Sequence, residues 1–384
     1  MRIAPVSMFG LYSSNNVKKP NITKNQAALP KQNVNSLPNW QNNFVSFGLR
    51  KRETLKYLLE LKEENNGTLA NCKREDILTA AGVRMFKNRD GSYTLTEYSS
   101  IVEGTKLSDL GADEEKLLEN VTVIEKNADF RGSDLEEVPS LKKVNGYLFL
   151  NDSKIKRIPN LRETGNVIHM ENSEIDDIGS LKSAGGNIIA NGAKINNMGS
   201  LVSVDGHFEA KGAEINDVHS LARVRGNLLL RGAKVHSNLD NLVYVAGNIN
   251  MIDTDEISMN SLYEIGGNGN FEGTKTKAFP SLVSVGGNLN VSNSEVADLN
   301  NLQEVGNNIR VRNSKLTGLP SLIDFGGKAD ILDYSKYMDD KIIALRRAFE
   351  QREDISEEEQ AQLEDYSNFL WEEAIISGSY DEWD

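Results

Sequence analysis

From the middle of the chain onward, leucine returns every twenty residues. It stands at Leu141, Leu161, Leu181, Leu201 and Leu221, then, one residue later than the period demands, at Leu242, Leu262, Leu282, Leu302 and Leu322. Val121 holds the same place one period earlier. Spacing this regular marks a repeat architecture, here about ten copies over residues 121–332. Three residues after each leucine comes a second apolar site, as in Val144, Ala184, Val204, Val245 and Val285. Two further on is a glycine (Gly146, Gly186, Gly206, Gly226, Gly247, Gly267, Gly287, Gly327), replaced only by Asn166 and Asn307. Gly, and less easily Asn, accept positive φ, so a left-handed turn is expected at this position.

An alternating trio follows the turn, such as Leu148-Phe149-Leu150, Ile188-Ile189-Ala190 or Leu228-Leu229-Leu230. Its first and third residues are apolar, the period of a strand with one buried face. A small residue (Ser153, Ala193, Thr274) and another apolar one (Ile155, Ile195, Val235) complete the coil. No coil this short can bury its apolar side alone, so neighbours must stack at about 4.8 Å per rung. The fold expected is a repeat solenoid with one short parallel β-strand per 20-residue coil. Asp253-Thr254-Asp255-Glu256 is the expected place of the single inserted residue.

The run from Ile309 to Leu322 follows L-x-L-x-x-S-x-I-x-x-L-P-S-L and resembles the short bacterial leucine-rich repeat, with Ser, Ala or Thr where that family carries Asn. Val285 to Leu289, V-G-G-N-L, is also similar to the repeats of receptor L-domains. The resemblance covers roughly residues 121–332. It implies a leucine-rich-repeat-like solenoid that binds protein through its strand face, a repeat type frequent among secreted bacterial effectors.

Strand residues that point outward are then the candidates for contact. Early coils offer Tyr147, Phe149, His169, Ile189 and Leu229, rimmed by Glu209, Lys211 and Arg231, the mix of a protein-binding hot spot. Val167 and His207 fall in the same outward set. A competing reading has the N-terminal segment covering these apolar residues. Later coils offer asparagines (Asn248, Asn250, Asn268, Asn270, Asn288, Asn290, Asn308), then Arg310 and Arg312, which complete the candidate partner-binding set. The asparagine column reads first as a structural ladder of stacked amides; contact with sugar hydroxyls is the other reading.

The flanks differ from the repeats. Residues 1–51 read as a disordered basic arm: the first 52 positions hold eight Lys or Arg and no acid. Residues 52–120 read as an α+β N-terminal capping segment. Leu55, Leu58, Leu59 and Leu61 outline a helix ended by Asn66-Gly67, and Asp90-Gly91 suggests a β-hairpin. Residues 333–384 read as an acidic helical C-terminal cap or tail, with the capping box Ser356-x-x-Glu359 opening its second helix; an acidic arm that recruits a basic partner is the competing reading.

Net charge is −13, concentrated at the acidic end, which argues against a nucleic-acid partner. One cysteine, Cys72, leaves no thiol-based metal cluster and no cysteine nucleophile beyond the repeats. Gly266-Gly267-Asn268-Gly269 falls at the repeat's own turn, with no helix after it to make a phosphate loop. No apolar run reaches a membrane span, and Met1 opens no standard signal peptide. The expectation is a monomeric, non-enzymatic protein-binding scaffold without cofactor or metal, either cytoplasmic or exported by a non-standard route. A carbohydrate-binding β-solenoid using the asparagine face is the alternative.

Overall fold

The computed structural model describes residues 54–198, 200–327 and 329–330. The arm expected over 1–51 and the acidic helices expected over 333–384 lie outside them. The described chain is a β-solenoid of about ten stacked parallel coils with little helix.

Each coil contributes a strand to two sheets. The first sheet collects the residues before the glycine turn, from Lys143–Val144 through Ser203–Val204 to Asp324–Phe325. The second collects the trio after it, from Leu148–Phe149 through Leu228–Leu229 to Ala329–Asp330. Four coils add a third strand: Glu174–Ile175, Lys194–Ile195, Glu214–Ile215 and Lys234–Val235. One strand per coil was therefore too few. The first strand was hidden because its two inward residues, such as Leu181 and Ala184, are three apart, and period-2 alternation cannot show across a bend.

The inward set of a coil is visible at Leu181, Ala184, Ile188, Ala190, Ala193, Ile195 and Met198, each 1% exposed or less. Where one coil has Gly269 in place of the strand leucine, two rings fill the space. Phe271 and Phe279 are fully buried with centroids 4.4 Å apart, and a Cβ on Gly269 would meet Phe271 at 2.9 Å.

The first-turn glycines do not have positive φ, contrary to expectation. They are required by stacking. A Cβ on Gly206 would run into the side-chain oxygen of Asn187 and lie 2.8 Å from its backbone nitrogen; one on Gly226 would lie 2.7 Å from the backbone of Gly206. The left-handed position is at the second turn instead. There Gly132, Asp152, Asn172, Gly192, Gly212, Gly232, Asp253, Gly273, Asn293 and Asn313 take φ from +52° to +71°. These are the three residue types that tolerate this region. The turn closes when the next residue's N–H bonds the carbonyl three back, as from Ala233 to Leu230 at 2.8 Å. Where that residue is serine its hydroxyl repeats the bond, from Ser153 to Leu150 and Ser294 to Val291, both at 2.6 Å. Hence the column of Ser, Ala and Thr.

The inserted residue also lies elsewhere than expected. Pairing is offset by 20 at Ile215↔Val235 and by 21 at Arg223↔Tyr244, and buried Leu239 replaces Val218 of the coil before. The extra residue is thus among His236, Ser237 and Asn238, not at Asp253 to Glu256.

Residues 54–120 continue the same core. A helix over 54–64 ends at Asn66 and Gly67, both left-handed, and a second spans Arg74–Ala80. Met85–Lys87 and Tyr93–Leu95 form the antiparallel hairpin, and Tyr93–Leu95 then pairs in parallel with Val121–Ile124. Buried Glu114 accepts from the Tyr98 hydroxyl at 2.6 Å and from Ser133 at 2.9 Å. Burial, then the Glu114 charge, push the Tyr98 phenol well above its ordinary range, so it remains a donor.

The two turns predict opposite tolerance. Gly206→Ala should lower stability by roughly 1–3 kcal/mol in urea denaturation, because the added methyl overpacks the seam. Gly232→Asn, with open space and a residue type already used at the equivalent Asn172, should cost less than about 1 kcal/mol. Equal losses would contradict the distinction.

Candidate functional site

Strand pairing of the second sheet sets its outward residues in three rows. The central row runs Asp129, Phe149, His169, Ile189, Glu209, Leu229, Asn250, Asn270, Asn290, Arg310. Two residues earlier in each coil lies the row containing Tyr147 and His207; two residues later lies the row of Arg131, Asn151, Glu171, Lys211, Arg231 and Arg312. All ten expected contact residues therefore belong to one face. They do not form one patch. From Leu229 to Arg310 is four rungs, about 19 Å, and Arg310 and Arg312 are half-buried and already engaged.

The early coils hold a planar stack. The rings of Phe149 and His169 lie 4.8 Å apart at 12°, and Tyr147 flanks both at 5.9 and 6.5 Å. Behind them the Arg131 guanidinium sits 4.8 Å from the centre of the Phe149 ring. Asp129 holds that guanidinium through Nε at 2.9 Å and Nη2 at 2.6 Å. This hydrogen bonding raises the Arg131 pKa above its ordinary value, opposed in part by burial. Glu171 reaches His169 Nδ1 at 3.2 Å. Its other oxygen, and the Asn151 side-chain oxygen one coil before, are enclosed without a donor. The face can thus stack a flat group against rings.

Arg131 and Asp129 were missed in the sequence because the outward set was counted from Tyr147. The repeat register itself carries the signal, since Arg131 is the Arg231 position five coils earlier.

Val167, expected to point outward, is only 7% exposed, and His207 serves the backbone. In the row of His207, from Asn187 to Asn288, each side chain accepts the main-chain N–H of its equivalent in the next coil. Asn187 accepts from His207 at 2.8 Å, His207 Nδ1 from Asn227 at 2.8 Å, Asn227 from Asn248 at 2.8 Å, and Asn248 from Asn268 at 2.7 Å. Asn268 and Asn288 continue the column. Asn250, Asn270 and Asn290 of the central row are buried, at 5%, 4% and 4% exposure, and accept N–H groups two residues on in their own coils. These amide oxygens are occupied by the backbone rather than presented to a sugar.

No family model, no curated protein and no solved structure matches the chain. Among the described residues no helix is long and apolar enough to cross a membrane.

Removing one rung of the column tests its role. Asn268→Ala leaves the Asn288 N–H without its acceptor and should cost about 1–3 kcal/mol in chemical denaturation. Unchanged stability would return these amides to the candidate ligand contacts.

Proposed function

We propose that the protein is a non-enzymatic scaffold that binds a protein partner on the outward rows of its second sheet, between Tyr147 and Arg231. The observation that carries this reading is the stack of Tyr147, Phe149 and His169 on Arg131. Rings held rigid by their neighbours lose little entropy on contact, and the row continues through half-buried Ile189 and Leu229 to the exposed charges of Lys211 and Arg231. An apolar centre with a charged rim is the layout of a protein interface.

On the same reading the chain is leucine-rich-repeat-like. Residues 54–120 cap the first coil, supported by the pairing of Tyr93–Leu95 with Val121–Ile124 and by one continuous apolar core. Export as a bacterial effector belongs to the same proposal. The sugar-binding alternative loses its chemical basis where the asparagine oxygens are taken.

The test is a pull-down with the full chain, followed by titration of the purified partner. Phe149→Asp and Leu229→Asp should each weaken binding by at least about 2 kcal/mol, roughly thirtyfold, with thermal midpoints held within a few degrees. Loss of folding would make these residues core, and unchanged affinity would move the site off this face.

A further inference from the structure

The first sheet carries an apolar stripe that the repeat does not require. The residue after each repeat leucine points outward, and in five successive coils it is Val202, Ala222, Val243, Tyr263 and Val283. Backbone bonds of 2.8–2.9 Å keep these positions in register from coil to coil. Val202, Val243 and Tyr263 are 43%, 42% and 51% exposed. Scattered exposed apolar residues are ordinary, but a contiguous row is not.

Charge is distributed about this stripe in an ordered way. Counting coils outward from Val243 and its neighbour Tyr244, Arg223 lies one coil toward the N-terminal end and Glu264 one coil toward the other. Three coils out, Lys182 lies on the first side and Gln303 and Glu304 on the second. The coils between, two out on each side, offer Val202 with Ser203 and Val283 with Ser284. Among the described residues, none of Lys182, Arg223, Glu264 and Glu304 forms an ion pair. The pattern changes sign through its centre, basic against acidic, and Asp205, two coils out on the basic side, is already paired with Arg225 at 3.3 Å.

A surface whose charge inverts through an apolar centre is complementary to itself turned by 180°. We propose that the first sheet is a self-association face, joining two copies of this chain face to face with their solenoid axes antiparallel. The two-fold axis passes at Val243 and Tyr244 and runs along the strand direction. This rotation sets Val243 against its own copy, Val202 against Val283, and Arg223 against Glu264 twice. Lys182 meets the Gln303–Glu304 coil of the other copy.

The contact from Lys182 to Glu304 spans six rungs, about 29 Å. At the width of one short sheet this is on the order of 500 Å² per copy, at the small end of specific interfaces. The dimer should therefore be reversible, with Kd in the micromolar range, and weakened by salt. It uses the sheet that the proposed partner does not, so its failure would leave the partner reading untouched.

The experiment is sedimentation of the full chain from about 2 to 200 μM at low and high salt, with a thermal melt of each variant. The native chain should show a monomer–dimer equilibrium. Tyr263→Asp and Arg223→Glu should each raise Kd at least tenfold without lowering the melting midpoint. The double exchange Arg223→Glu with Glu264→Arg restores the complementary layout and should recover most of the affinity. A chain monomeric at every concentration overturns the proposal. So does a dimer indifferent to these substitutions, or one that the double exchange fails to rescue.

Discussion

Neighbouring coils must lie at strand-pairing distance along two sheets joined by a turn of only three residues. At that turn the backbones of successive coils nearly touch, and the residue beneath each Asn or His of the column has no room for a side chain of its own. Glycine permits the approach, and the side chain beside it then uses the short distance to accept an N–H from the next coil. Most coils thus share one solution to a single packing problem. The core residues fill what the seam leaves, and Phe271 opposite Gly269 shows how tightly that volume is conserved within one coil.

The candidate site occupies the break in that column. At Tyr147 and Val167 there is no side-chain acceptor. Asn127 still receives the Tyr147 N–H from below, Asn166 turns to bond the Val167 N–H beside it, and the column resumes at Asn187. Two coils released from the ladder are the ones free to carry rings. The face with the least structural duty on its side chains is the one with the chemistry of contact.

Much of this fold was legible in the leucine period. Stacked coils, the inward trio of the second strand and the Asp90-Gly91 hairpin all follow from spacing and residue type, because each is set by residues near one another in sequence. The first strand was not legible, since Leu and Val three apart give no alternating signal. The glycines were read for φ when their cause is a neighbour twenty residues away, a contact that composition alone does not display. The true left-handed column was present in plain sight as Gly, Asp or Asn at 132, 152, 172 and onward, but lay outside the apolar pattern. Tyr147, Phe149 and His169 were identifiable as outward residues; their stacking on Arg131 needed the register of three coils.

The extra residue near Ser237 has an effect beyond numbering. The third sheet runs through four coils and ends at Lys234–Val235, immediately before it. Beyond that point the third side mixes isolated backbone bonds, such as Lys275 N–H to the Thr254 carbonyl at 3.1 Å, with side-chain ones: the Thr254 and Thr274 hydroxyls meet at 2.9 Å, and Thr276 bonds both the N–H and the carbonyl of Ile257. Stability in a stacked array is the sum of its nearest-neighbour contacts, so it is set locally at each junction. At the junction after Val235 the strand pairing of that side stops. The coils from Glu174 to Val235 are thereby tied by strand pairing on three sides and the later ones on two, so opening the array should be easier on the later side.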